Sequence, residues 1–334
     1  MKLGHGGNIF AFARQKGCDW REVTDFSASI NPLGPSPSVA PAIAAAMDRI
    51  VHYPESGDFA LRSAIGAKWG VAPDCLIAGN GATELIDFLA KCFRVERVYL
   101  AAPVFSEFHR VYREASIVPF DSDVWPRDGL MVVTRPANPT GTMPRVDEYL
   151  DQTSNPVLID ESFIEFTCQD SLVRRVNERP DLFILRSLTK FYAIPGLRVG
   201  VLAGSPERMA ELRAKRMPWQ VNVLAEAAVL ASLQDEHHAQ RTRQFVTEER
   251  AWLTEQLRHI PGVQTSPASA NFLMVAANRP VPPLLAELEE HRILVRDCSG
   301  WPGVPFRHAF RIAVRLRAEN ERLMGALRGA RSLR

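Results

Sequence analysis

Leu185–Gly200 reads LRSLTKFYAIPGLRVG, the stretch of the chain densest in chemistry. Apolar residues run up to Leu185 as a strand would. Ser187, Thr189 and Lys190 then fall within four positions, and Arg198 follows eight residues after the lysine. Two hydroxyls and a guanidinium suit a phosphate dianion, because arginine offers a planar fork of donors. A lysine desolvated beside that phosphate loses its proton readily and becomes a nucleophile toward a carbonyl. Taken alone, the same residues also describe a solvated lysine at a strand end, so the surroundings must decide.

Outward from this stretch, short apolar runs recur: Val98–Ala102, Met131–Thr134, Val157–Asp160, Leu182–Leu185 and Val199–Ala203. Between them lie amphipathic patterns. Leu85, Ile86, Leu89, Cys92 and Phe93 share one face of a helix. Continuous apolar strands alternating with helices predict a sheet covered on both faces, hence an α/β fold. After about Gln220 the texture changes. Val221–Leu233 and Glu236–Leu257 read as helices, followed by strands at Asn271–Val275 and Phe310–Val314 around a helix near Pro283–His291. The expected division is an arm (1–40) packing with the small domain and over the active site, a large domain (41–235), and a smaller α+β domain (236–334). No flexible linker separates them, so one rigid body with a cleft is expected.

The chain has 334 residues, 46% of them hydrophobic, with 40 Lys plus Arg against 38 Asp plus Glu. That balance gives no field for nucleic acid or a membrane surface. Five scattered cysteines without a C-x-x-C pair argue against a disulfide framework or a cysteine-rich zinc site. No stretch reaches the ~20 apolar residues of a membrane helix, and the first residues do not read as a signal peptide. A cytoplasmic enzyme is the expectation.

Three further segments carry chemistry. Val157–Asp160 is an apolar strand ending on an acid, where open α/β sheets place ligands. Such a carboxylate would pair with a protonated pyridine nitrogen, or simply cap the next turn. Ala78–Glu84 (AGNGATE) precedes a helix, and the N–H groups of Ala82 and Thr83 would form a phosphate cup. Its Gly79-x-Gly81-x-x-Glu84 lacks the third glycine of a dinucleotide fingerprint, and no strong strand precedes it within an opening βαβ unit, so that reading is set aside. Arg135–Gly141 (RPANPTG) follows a strand, and Asn138 would donate to a phenolic oxygen or merely shape a turn.

These four pieces, in this order, resemble the fold-type-I pyridoxal-phosphate (PLP) enzymes of the aspartate aminotransferase superfamily over nearly the whole chain. The resemblance implies a large domain with a mostly parallel central sheet flanked by helices, and pyridoxal 5'-phosphate as cofactor. It implies that Lys190 forms the Schiff base, Asp160 partners the pyridine nitrogen and Asn138 serves the cofactor's 3-oxygen. Gly81, Ala82, Thr83, Ser187 and Arg198 would cup its phosphate, and Phe105 would stack on its ring. Tyr53 resembles the tyrosine that reaches the cofactor phosphate of a partner subunit, which implies a homodimer. Arg311 matches the arginine that holds a substrate α-carboxylate. One departure is Phe163, where the family often has a tyrosine.

The arm narrows the resemblance. Gly4–Asn8 (GHGGN) with Asp25–Pro35 (DFSASINPLGP) is similar to the L-threonine-O-3-phosphate decarboxylases of cobalamin biosynthesis. The sister histidinol-phosphate aminotransferases share the Asn80–Ile86 type of loop. A phosphorylated amino acid has two anions, and His5, Gly6, Gly7, Asn31 and Arg315 would surround the second. The expected reaction is decarboxylation of threonine phosphate to (R)-1-aminopropan-2-ol phosphate, with an aminotransferase as the alternative. A binding or regulatory module has no use for Lys190 and Asp160 together.

Overall fold

The computed structural model describes residues 6–122 and 124–333. After β1 (Thr24–Asp25) in the arm, seven strands among these residues build the central sheet. They are β2 (Leu76–Gly79), β3 (Val98–Ala102), β4 (Ser116–Pro119), β5 (Leu130–Thr134), β6 (Val157–Asp160), β7 (Leu182–Ser187) and β8 (Gly200–Ala203). Their order is 2-8-7-6-5-3-4. β8 runs antiparallel to β2 and β7, and the other pairings are parallel. β5, β6 and β8 are buried throughout because both faces are covered. Leu130 and Val132 feed one apolar cluster, with Leu85, Ile86 and Leu89 of the helix Ala82–Cys92. Met131 and Val133 point the other way, into a cluster with Leu61 and Ile65 of the helix Phe59–Trp69.

A short strand, β2, leads into the AGNGATE loop and ends on Gly79. Its four residues finish in Ala78 and Gly79, which carry little β propensity, and backbone pairing to β8 holds it in place. The dinucleotide reading still fails, because β3 lies near the far side of the sheet and no βαβ unit opens at β2.

The second sheet contains β9 (Val263–Thr265) and β10 (Phe272–Ala277). After β11 (Ile293–Leu294), β12 (Arg296–Asp297) and β13 (Ala309–Ala313) complete it in the antiparallel order 12-13-10-9. Alternation along β13 sends Phe310 and Ile312 into the apolar core behind this sheet, so Arg311 between them faces away from that core. The arm joins here: β1 pairs with β11, and Phe26 is fully buried in the same core. The helix Glu236–Arg258 spans about 34 Å at 1.5 Å per residue. Ala239 and Val246 pack in a central-sheet core, and Leu253 and Leu257 pack behind the second sheet. Among the described residues no helix is long and apolar enough to cross a membrane.

Candidate active site

Asp160 ends β6 and Ser187 ends β7, while Gly81, Phe105 and Asn138 follow the ends of β2, β3 and β5. These strands are parallel, so the five groups meet at one end of the sheet, the end where such folds bind ligands. β8 runs the other way, so Gly200 at its start pairs with Ser187 and brings Arg198 to the same place. A cavity of about 340 Å³ opens there, closed on its far side by Arg311 of the second sheet and by arm residues 27–30.

The phosphate cup is built by close approach. Gly81 has φ 86°, and a Cβ on it would lie 2.3 Å from an Arg198 guanidinium nitrogen. A Cβ on Gly200 would lie 2.5 Å from the Ala82 nitrogen. Only glycines let the three segments converge. The helix Ala82–Cys92 starts without a side-chain cap, so its first N–H groups are left for an anion, which its dipole favours. Glu84 steadies the loop from behind, with both carboxylate oxygens on Arg216 at 3.1 and 3.0 Å. Ser187 and Thr189 share a hydroxyl hydrogen bond of 2.8 Å beside the cup.

Lys190 is half-buried at the cavity, near the Arg198 and Arg311 guanidiniums. Burial, then Arg198 and Arg311, push its amine down to about 8 from the ordinary 10.5. Asp160 is buried; desolvation raises its carboxyl to about 6 against the pull of Ser162, whose N–H donates to it at 2.9 Å. At neutral pH the acid is therefore mostly ionised. The neutral amine would be the nucleophile, half of the population at the pKa and nearly all of it a unit or more above. The cofactor-free chain should therefore capture pyridoxal phosphate at a rate that rises through a midpoint near pH 8 and levels off above about pH 9. Stopped-flow absorbance measures this; a rate still climbing at pH 10 would mean an ordinary, solvated lysine.

Asn138 Oδ1 accepts from Arg311 Nη1 at 2.7 Å, which leaves the Asn138 amide nitrogen as the donor toward the cleft. Arg311 also donates to the Ser27 carbonyl at 2.7 Å and lies over the Phe272 ring. Phe163 meets Phe272 edge-on, 4.9 Å between centroids, so the residue in the usual tyrosine position builds the wall that supports Arg311. The glycine cradle, the uncapped helix start, the ionised buried acid and the shifted lysine together fit pyridoxal phosphate. Bound there, the cofactor would supply an aldehyde for the lysine and an electron-poor ring for carbanion stabilisation.

The second-anion set drawn from the sequence is largely elsewhere. Asn31 is spent on the Phe191 carbonyl and Thr242 Oγ1, at 3.0 and 2.9 Å, and does not line the cavity. Arg315 binds the Asp25 carbonyl and Glu319, at 3.2 and 2.7 Å. The Gly7 N–H donates to Ser27 Oγ at 2.8 Å. Gly6 does line the cavity, and His5 lies outside the described residues. Tyr53 is away from the cavity, exposed and stacked on Trp219 at 4.5 Å.

Residues to which the sequence reading gave no role also face the cavity, among them Glu107, Trp301, Ser29 and Arg296, the last readable from sequence as a solvated surface residue. Ser29 Oγ is buried without a hydrogen-bond partner among the described residues. Arg296 stands directly opposite Arg311 across the β12–β13 ladder. The signal was the alternation of Val295-Arg296 and Phe310-Arg311-Ile312, but no sequence rule pairs two strands so far apart.

An amine nucleophile, a buried acid and a phosphate cup at the end of an α/β sheet define a fold-type-I PLP-dependent enzyme. Residues 121–327 match the model of the aminotransferase class I and II family, and the chain belongs to that family. It is 34% identical to a threonine-phosphate decarboxylase of Salmonella typhimurium, over 97% of this chain and 95% of the relative. It is 31% identical to a histidinol-phosphate aminotransferase of Moorella thermoacetica, over 92% and 85%. The crystal structure of L-threonine-O-3-phosphate decarboxylase from Porphyromonas gingivalis superposes with a TM-score of 0.83 at 24% identity, covering 91% of this chain and 98% of that one.

Proposed function

We propose that this enzyme decarboxylates L-threonine O-3-phosphate to (R)-1-aminopropan-2-ol phosphate, a step of cobalamin biosynthesis, with pyridoxal phosphate bound at Lys190. The observation that carries the reading is the Arg296–Arg311 pair: the two stand opposite each other across the β12–β13 ladder and both line the cavity. Two guanidiniums on one wall suit a substrate with two anions, because arginine binds carboxylate and phosphate through a planar fork of donors. In this reading Arg311 takes the carboxylate, while Arg296 and Ser29 take the phosphate. Together they set which bond at Cα stands perpendicular to the cofactor ring, and positioning of this kind selects the reaction. With the cofactor bound, the Lys190 amine would be placed to return a proton to the carbon that loses CO2.

The test is purified enzyme assayed for CO2 release from threonine phosphate, beside amino transfer from histidinol phosphate to 2-oxoglutarate. Decarboxylation supports the proposal. Amino transfer without CO2 release overturns it and favours the reaction named for the Moorella relative. Arg296→Ala should raise KM for threonine phosphate about 10- to 100-fold, the range of a hydrogen bond to a charged group, and change KM for unphosphorylated threonine far less. Equal changes for both would remove Arg296 from the phosphate.

We also propose a homodimer. Met47, Ile50, Val51, Tyr53, Met217 and Trp219 are exposed apolar side chains, with Tyr53 and Trp219 stacked on each other, and exposed apolar surface of this kind is the composition of an interaction site. If the Tyr53 hydroxyl reaches the partner's cofactor phosphate, Tyr53→Phe should weaken cofactor retention roughly 10-fold in an equilibrium dialysis of intact dimer. Unchanged retention, or full activity in an isolated monomer, would contradict this.

A further inference from the structure

Lys190 sits on a helix of a single turn, Leu188–Phe191. Four residues make little rigid structure by themselves, and the carbonyls at such a helix end need outside partners. The Lys190 carbonyl accepts from the Ala193 N–H at 3.3 Å, and Asn31, in the arm, adds partners from outside the turn. Its backbone N–H donates to the Lys190 carbonyl at 3.0 Å, and its Nδ2 donates to the Phe191 carbonyl at 3.0 Å. The same amide nitrogen donates to Thr242 Oγ1 at 2.9 Å, on the helix Glu236–Arg258. Asn31 Oδ1 accepts from the Leu33 N–H at 3.0 Å, which fixes the amide the right way round. Asn31 and Thr242 are both buried.

The position of Asn31 along the arm adds to this. Just before it, Phe26 is bonded into the second body: its N–H donates to the Leu294 carbonyl at 2.7 Å, and its carbonyl accepts from Ala313 at 2.9 Å. Just after it, Ser36 Oγ donates to Asp235 at 2.5 Å. Residues 27–30 between these holds line the cavity. The arm thus crosses from one body to the other over the cleft and is pinned beside the lysine.

We infer that Asn31 is a positioning residue for Lys190. It caps the one-turn lysine helix from outside and ties that helix to Glu236–Arg258, which is shared by the two bodies. The inference rests on Lys190 being the cofactor-binding lysine, and it is independent of which substrate is turned over.

The experiment compares Asn31→Ala, Asn31→Asp and Thr242→Val as holoenzymes. The first readout is the pH at which the visible band of the lysine–cofactor bond titrates, which needs no substrate. It should move by at least about 0.5 unit in both Asn31 variants, because the amine's surroundings change. The aspartate variant keeps the bond to Leu33 but cannot donate to Phe191, so its change shows that the donor matters. Thr242→Val should shift the band in the same direction by less. The second readout is kinetic: kcat should fall about 10- to 100-fold with KM within about 3-fold, as for a misplaced catalytic group.

A lowered melting temperature with an unmoved band and wild-type kcat would reduce Asn31 to a structural residue and overturn the inference. If Asn31→Ala does not fold, the Thr242→Val band decides: a shift supports the tie, and no shift overturns it. A band shift in an enzyme that leaves threonine phosphate intact would sink the proposed reaction and leave this inference standing.

Discussion

Replacing Lys190 with alanine is expected to abolish the borohydride-reducible bond between protein and cofactor and to remove turnover. Among the described residues no other lysine lines the cavity, so none can take over. Loss of proton transfer alone costs about 10²- to 10⁴-fold, and loss of the covalent attachment adds to it. The cup of Gly81, Ala82, Thr83, Ser187 and Arg198 does not depend on the lysine, so the variant should still bind pyridoxal phosphate, reversibly and with a free-aldehyde spectrum. Mass spectrometry after borohydride reduction checks this. A reduced adduct mapped to a different lysine would show that the site is centred elsewhere.

Asp160→Asn should come second in size. The carboxylate is ionised at neutral pH although burial holds its pKa up to about 6, so it can stabilise a protonated ring nitrogen that asparagine cannot. Removing one member of a buried charge pair costs about 3–5 kcal/mol, or roughly 10²- to 10⁴-fold in rate. The Ser162 N–H that binds Asp160 Oδ1 would bind the amide oxygen equally well, so the backbone should hold. Steady-state kinetics at fixed cofactor saturation make the comparison, and near-wild-type turnover would rule out the electron-sink role.

Much of the site was legible because its groups ride on short, local motifs. Asp160, Ser187, Lys190 and Asn138 each stand at the end of an apolar run, and the run itself announces a parallel strand. The anion site across the cleft was not legible in the same way. Arg296 and Arg311 become neighbours only through the antiparallel register of β12 and β13, and register between distant strands is set by the folded core. Asn31 and Arg315 are polar residues beside Pro, Gly and charged neighbours, which in a linear reading makes them candidates for ligand. Burial turns them into internal anchors instead, because a polar group removed from water must be paired within the protein. Ser29 shows the converse, a small hydroxyl that sequence gives no reason to notice, left unpaired where a ligand belongs.

Thr24 pairs with Ile293, although they stand near opposite ends of the chain. During synthesis the N-terminal segment emerges first, and domains fold as they emerge. The central sheet and its phosphate cup can be complete while the partner strand of the arm has yet to be translated. A ribosome-bound intermediate would then hold Asp160 and the loop Gly81–Thr83 under an open roof, before the wall carrying Arg296 and Arg311 has formed. If Arg296 and Arg311 hold the substrate's anions, specificity is the last property the nascent chain acquires, and a truncation near the C-terminus should remove it before it removes cofactor binding.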